Sequence, residues 1–151
     1  MLAVRHRRAR RNDREGAALV EAAVVLPIFF LAILGMVEFG RAMMVGQLVT
    51  NAAREGARRA ILYGSEQSEV TSHIHDFLHD AGGIDPADVT LTMSYASGPD
   101  RTGGPPRSLA ACESGDRVTV EVVVPWNKAG WGTLRWLSGK SFRGAATMRH
   151  E

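Results

Sequence analysis

The sequence predicts an α+β fold: a long N-terminal helix, apolar at first and two-sided later, packed on a small antiparallel sheet. Three observations carry this expectation. Ala17 to Val37 reads AALVEAAVVLPIFFLAILGMV, with Glu21 as its single charge. Beyond it, Val45, Val49, Ala52, Ala53, Gly56, Ala60 and Ile61 recur at three- and four-residue spacings. Arg41, Gln47, Asn51, Arg54, Glu55, Arg58 and Arg59 fall largely elsewhere around the helix. Farther along, Asp88 to Tyr95 and Asp116 to Pro125 alternate apolar and polar side chains, as half-buried strands do.

A bilayer core about 30 Å thick needs roughly 20 apolar residues of helix to cross it, and the run at 17–37 is long enough. Arg5, Arg7, Arg8, Arg10, Arg11 and Arg14 precede it. Basic residues beside a span stay on the cytoplasmic side, which makes the short end the inner one. The expected organisation is a basic cytoplasmic leader at 1–16, a transmembrane helix at 17–37 and an extracytoplasmic α+β domain at 38–151. Residues 1–15 lack periodicity and are expected to be disordered. The helix is expected to start near Gly16, kink at Pro27 and continue to about residue 63, where Gly64 stops it. Such a helix would be roughly 70 Å long at about 1.5 Å per residue.

Ser65 reads as the N-cap of a second helix, with Glu66 and Glu69 in its first turn. Val70, Ile74, Phe77 and Leu78 form its apolar face, and Gly82-Gly83 closes it. The strand at 88–95 turns Val89, Leu91, Met93 and Tyr95 to one side. A Gly/Pro-rich segment from Ala96 to Gly115 follows, long enough to suggest mobility or a docking role. Asp116 to Pro125 is the clearest strand, and Gly144 to His150 is a candidate third one.

Composition narrows the function. The formal charge of the whole chain is +2, but six Arg lie in the leader against Asp13 and Glu15. The remainder is net acidic, which argues against a nucleic-acid partner. Cys112 is the sole cysteine, so no intramolecular disulfide forms; it is a free thiol or an intermolecular bridge. His75 and His79 stand at i, i+4 beside His73, but no third ligand follows at fixed spacing, so a solvated helix face is the simpler reading than zinc. Trp126, Trp131 and Trp136 suit either core packing or a membrane-interface belt. No nucleophile, base and orienting group can be assembled, and no phosphate loop is present. The chain is therefore expected to be no enzyme and to carry no cofactor or metal.

Glu21 stands out, because a carboxylate in hydrocarbon costs about 2.5–3.5 kcal/mol on insertion scales unless it has a partner or reaches the headgroups. Ala52, Gly56 and Ala60 form a small-residue ladder at i, i+4, i+8. It suits close approach of another backbone, either a neighbouring chain or the protein's own sheet. Glu55 and Arg59 are spaced to pair on the helix surface, and Glu38 and Arg41 to set the depth of its exit from the membrane.

The order basic leader, Gly16, four apolar residues, Glu21, apolar helix resembles the processing site of type IV prepilins. That resemblance implies cleavage between Gly16 and Ala17 by a membrane prepilin peptidase. It also implies that Glu21 pairs with the N-terminal amine of a neighbouring subunit during assembly. Ala17 and Ala22 stand where a bulky apolar residue and a tyrosine are usual. More widely, Gly16-Ala17-Ala18-Leu19-Val20-Glu21, Leu26-Pro27, Gly35-Met36-Val37-Glu38-Phe39-Gly40-Arg41 and Asn51-Ala52-Ala53-Arg54-Glu55-Gly56-Ala57-Arg58 resemble the TadE-like family, as does the closing Met148-Arg149-His150-Glu151. The resemblance implies a pilin-like fold and a pseudopilin-like protein of the tight-adherence (Tad/Flp) pilus apparatus. It further implies single-pass anchorage in a bacterial inner membrane, with the lipid bilayer, other pilins or pseudopilins and the assembly machinery as partners. The alternative from another class is a membrane-tethered extracytoplasmic binding or sensor domain that never enters a filament.

Overall fold

The computed structural model describes residues 6–62, 64–99, 102–129 and 139–150, and the side chains of all but 6–15 and 129 among them. Helix α1 runs His6–Ala60, α2 Gln67–Gly82, and a single turn, α3, Trp126–Ala129. Strands β1 (Thr90–Ala96), β2 (Arg117–Pro125) and β3 (Ser141–Arg149) complete the fold. The chain divides into two compact units, Met1–Phe39 and Gly40–Glu151. The fold is α+β, with the second half of α1 packed on a three-stranded antiparallel sheet in the order β1-β2-β3.

Helix α1 begins at His6, ten residues before the expected start at Gly16. The leader has no Pro or Gly between Arg7 and Glu15, and arginine and alanine are strong helix formers, so propensity carries the helix into a stretch without apolar periodicity. At the other end α1 stops at Ala60. Ser65 does not cap α2. Its hydroxyl donates to Arg59 O at 2.8 Å, satisfying a carbonyl in the last turn of α1, and the extended Glu66 takes the N-cap place of α2, its carboxylate accepting from the Ser68 hydroxyl at 3.3 Å and capping no backbone N–H. The far end of α2 closes on left-handed Gly83, whose N–H donates to His79 O at 2.8 Å while Ile84 N–H reaches Leu78 O.

The core of the Gly40–Glu151 unit lies between the helices and one face of the sheet. Val45, Val49, Ala52, Ala53, Ala57 and Ala60 of α1 meet Val70, Ile74 and Leu78 of α2 over Val118, Val120, Val122 and Val124 of β2. β2 is central, so its inward side chains are fully covered. On the edge strand β1, Leu91, Met93 and Tyr95 pack against the core but stay half-exposed. Register pairs Leu91 with Val122 and Met93 with Val120 across β1 and β2, and Val120 with Ala146 across β2 and β3. β3 starts at Ser141, three residues earlier than the expected strand, and this brings Phe142 edge-to-face onto the buried ring of Trp126 at 5.6 Å. Trp126 is thus a core residue; Trp131 and Trp136 lie outside the described residues.

The described part of the segment between β1 and β2 is held by Asp116. Its side chain is fully buried and accepts from Gly98 N at 2.8 Å and Glu113 N at 2.9 Å. Its own backbone carbonyl accepts from His150 N at 2.7 Å. A carboxylate taking two backbone N–H bonds ties both ends of this segment to the start of β2. Leu109 sits in the core from a short 3-10 turn in the middle. Among its described residues the segment is thus tied at Gly98, Leu109 and Glu113.

Candidate functional site: the exposed apolar helix and the packed half of α1

In the Met1–Phe39 unit, every residue from Gly16 to Val37 is exposed. Leu19 is 72% accessible, Phe30 57% and Met36 74%. This segment of α1 is apolar on all sides and covered on none, and it is long and apolar enough to be a candidate membrane span. Such a helix is stable against lipid or against neighbouring helices, not against water. Glu21 is an exposed carboxylate on this apolar cylinder.

Gly16 and Ala17 both lie inside α1. A peptidase reading of that bond requires the helix to open locally, since an extended chain is what presents a peptide bond for cleavage. Gly16 lowers the cost of opening, because glycine weakens a helix interior by roughly 0.5–1 kcal/mol relative to alanine. An added Cβ at Gly16 would meet nothing within 4 Å, so packing does not require glycine there.

In the Gly40–Glu151 unit, Ala52, Gly56 and Ala60 are all buried and face the protein's own sheet and α2. Gly56 permits the closest approach of this ladder: a Cβ there would overlap the end of Ile74 and lie 2.9 Å from Ile74 Cγ1 and 3.3 Å from Val120 Cγ1. Sequence reasoning missed the complementary position. At Gly144 on β3 a Cβ would stand 2.6 Å from Val49 O and 2.9 Å from Thr50 Cα, so the strand lies directly on the α1 backbone. A glycine amid the strand pattern of 141–149 was the available signal, since such residues mark close backbone approach.

Electrostatics across the helices also differ from expectation. Glu55 faces His73 Nε2 on α2 at 3.6 Å in place of the expected Arg59. The reason is direction: His73 projects from the adjoining helix toward Glu55, while Arg59 is exposed. Across the outer face of the sheet, Arg143 donates to Glu121 at 2.6 Å and Thr119 bonds Thr147 at 2.8 Å. Among the described residues no group of three or more His, Cys, Asp or Glu side chains comes together to hold a metal. A shallow groove of about 500 Å³ is lined by Asn51, Arg54, Glu55, Arg58, His73, Phe77 and Met148.

The model of the TadE-like protein family matches residues 16–58. That stretch is similar to TadE-like proteins. The match starts at Gly16 and includes Glu21, the rest of the candidate span, and the Ala52–Gly56 part of the buried ladder. The matched segment therefore runs along α1 from its exposed apolar part into the part that packs on the sheet. No curated protein and no solved structure matches the chain.

Proposed function

We propose that this protein is a membrane-anchored, pseudopilin-like component of Tad/Flp-type pilus biogenesis, working by assembly rather than catalysis. The observation that carries the reading is a TadE-like helix, apolar and exposed on every side, with one carboxylate, Glu21, near its start. In this reading the segment crosses the cytoplasmic membrane once, with the arginine-rich leader inside and the α+β unit outside. A prepilin peptidase cuts between Gly16 and Ala17. The new ammonium of Ala17 on one subunit and the Glu21 carboxylate on another then offset each other's desolvation cost in the bilayer. Partners are the lipid, other pilins or pseudopilins and the assembly machinery; no cofactor, metal or nucleic acid takes part.

The deciding experiment follows from the physics of one charge in hydrocarbon. For a simple anchor, Glu21→Leu removes a desolvation cost and should leave membrane levels unchanged or raised. For an assembling subunit, the same change strands a neighbour's ammonium without a partner, and Glu21→Gln should fail too because it keeps the size and loses the charge. The expected pattern is normal membrane abundance, a wild-type chain beginning at Ala17, and lost piliation for both variants. Full piliation by Glu21→Leu would overturn the assembly role and favour a tethered domain.

A further inference from the structure

We infer that the helical face of the Gly40–Glu151 unit is a contact between two copies of this chain, with Arg54 and Arg58 of one copy meeting Glu69 and Asp76 of the other. Two stripes of opposite charge lie side by side on this face. On α1, Asn51, Arg54 and Arg58 are exposed on the side opposite the buried Val49, Ala53 and Ala60. On α2, Glu69, Asp76 and Asp80 are exposed on the side opposite Val70, Ile74 and Leu78. Among the described residues, none of Arg54, Arg58, Glu69 and Asp76 has an ion pair, since Glu55 is turned to His73 and Asp80 to His79. Each stripe also repels itself, because Arg54 and Arg58, like Asp76 and Asp80, are like charges at i, i+4. A surface carrying both stripes is complementary to a second copy of itself.

Geometry sets which charges meet. Helices α1 and α2 run antiparallel: Gly82 lies against Leu48, Gly56 against Ile74, and Glu55 against His73. Arg54 is therefore level with Asp76, and Arg58 lies within a turn of Glu69. A two-fold axis running between the helices and parallel to them lays α1 of one copy over α2 of the other without changing these levels. Both copies of α1 then run in the same direction within this unit. Half-buried Phe77, in the groove of about 500 Å³ beside Arg54 and Arg58, falls near that axis and supplies an apolar centre.

Exposed ion pairs are weak individually. Confinement to a bilayer raises the effective concentration of the copies, so a weak, salt-sensitive contact is enough. The inference thereby deepens the assembly reading, and its test is separable from that of Glu21.

The test uses the full chain in two differently tagged forms, co-expressed in membranes and purified in lipid nanodiscs at low salt. Wild-type copies should co-purify, less so as salt is raised. The double variants R54E/R58E and E69R/D76R should each lose about tenfold of this pairing with themselves, since like charges then face each other. Mixing the two variants should restore it, because each now carries the charge the other lacks. Thermal unfolding of each variant establishes that it is folded, and the milder pair R58E and E69R replaces any double variant that is not. Absence of wild-type pairing, wild-type pairing by either folded variant alone, or no restoration on mixing would overturn the contact. Restoration together with full piliation by Glu21→Leu would keep the contact and reject the assembly role of Glu21.

Discussion

At Gly144 the backbone of β3 lies so near α1 that a methyl group would press on Val49 O, 2.6 Å away, and on the carbon behind it. Neither can yield without moving the helix, in contrast to Gly56, where the obstructing atoms are the movable end of Ile74. Gly144→Ala should therefore destabilise the Gly40–Glu151 unit by about 1–3 kcal/mol, the range for forced overpacking. Gly35→Ala, which meets nothing within 4 Å, serves as the control. Thermal unfolding of the purified full chain checks both, and equal melting temperatures for Gly144→Ala and wild type would refute the close-contact account. Asp116 teaches the same lesson about position. In the sequence it is only the polar residue that opens the best strand, whereas in the fold it is a buried carboxylate holding two backbone N–H groups from the preceding segment. Its partners Gly98 and Glu113 belong to a segment without periodicity, so no local pattern could reveal the bond.

Among the elements, edge strand β1 has the most distinctive chemistry. Tyr95 projects from it toward α2 and the segment before β2, and its hydroxyl lies 3.4 Å from Gln67 Oε1, to which it donates. Burial raises the phenol above its ordinary value of 10.0, the nearby Cys112 thiolate raises it further, and a backbone hydrogen bond at Leu109 pulls the other way. The folded chain thus favours the neutral phenol more than the unfolded chain does. This contribution to stability is intact below about pH 10 and is lost as pH rises through the raised folded value. Cys112→Ser removes the thiolate and should bring the Tyr95 midpoint down, while Tyr95→Phe should flatten the alkaline loss of stability. Tyrosinate absorbance in a Tyr63→Phe background reads the midpoint, because the chain has two tyrosines. A midpoint indifferent to Cys112→Ser would remove the thiolate from the account. The strand pattern itself was legible: Leu91, Met93 and Tyr95 point inward as alternation predicts. Their incomplete burial was not, because alternation does not distinguish an edge strand from a central one.

For the whole molecule, the proposed membrane crossing at 17–37 is tested through its orientation. The asymmetry is steep: six leader arginines precede the apolar run, and one glutamate lies within it. Reporter fusions placed after Gly64 should be active only with an extracytoplasmic reporter, and neutralising the six arginines should lower or scramble insertion. Activity of a cytoplasmic reporter at that position would reverse the orientation.

Features that depend on periodicity and composition were legible in the amino-acid sequence alone. These are the exposed apolar helix, the buried face from Val45 to Ala60, the alternating strands, and the α+β class that follows from them. Each is written in consecutive residues, because helix and strand bury side chains at fixed intervals. Other features depend on residues distant in the chain and exist only once the elements pack. Gly144 is needed because α1 crosses it, Asp116 is buried because a long segment returns to it, and Glu55 turns to His73 because α2 runs back along α1. The complementarity of Arg54 and Arg58 with Glu69 and Asp76 belongs to the same class. Two charged stripes from separate helices form one face only after the turn at Gly64 and the shared core have set the helices antiparallel. Local patterns specify which side of an element is buried; which elements meet, and at what level, is set by packing.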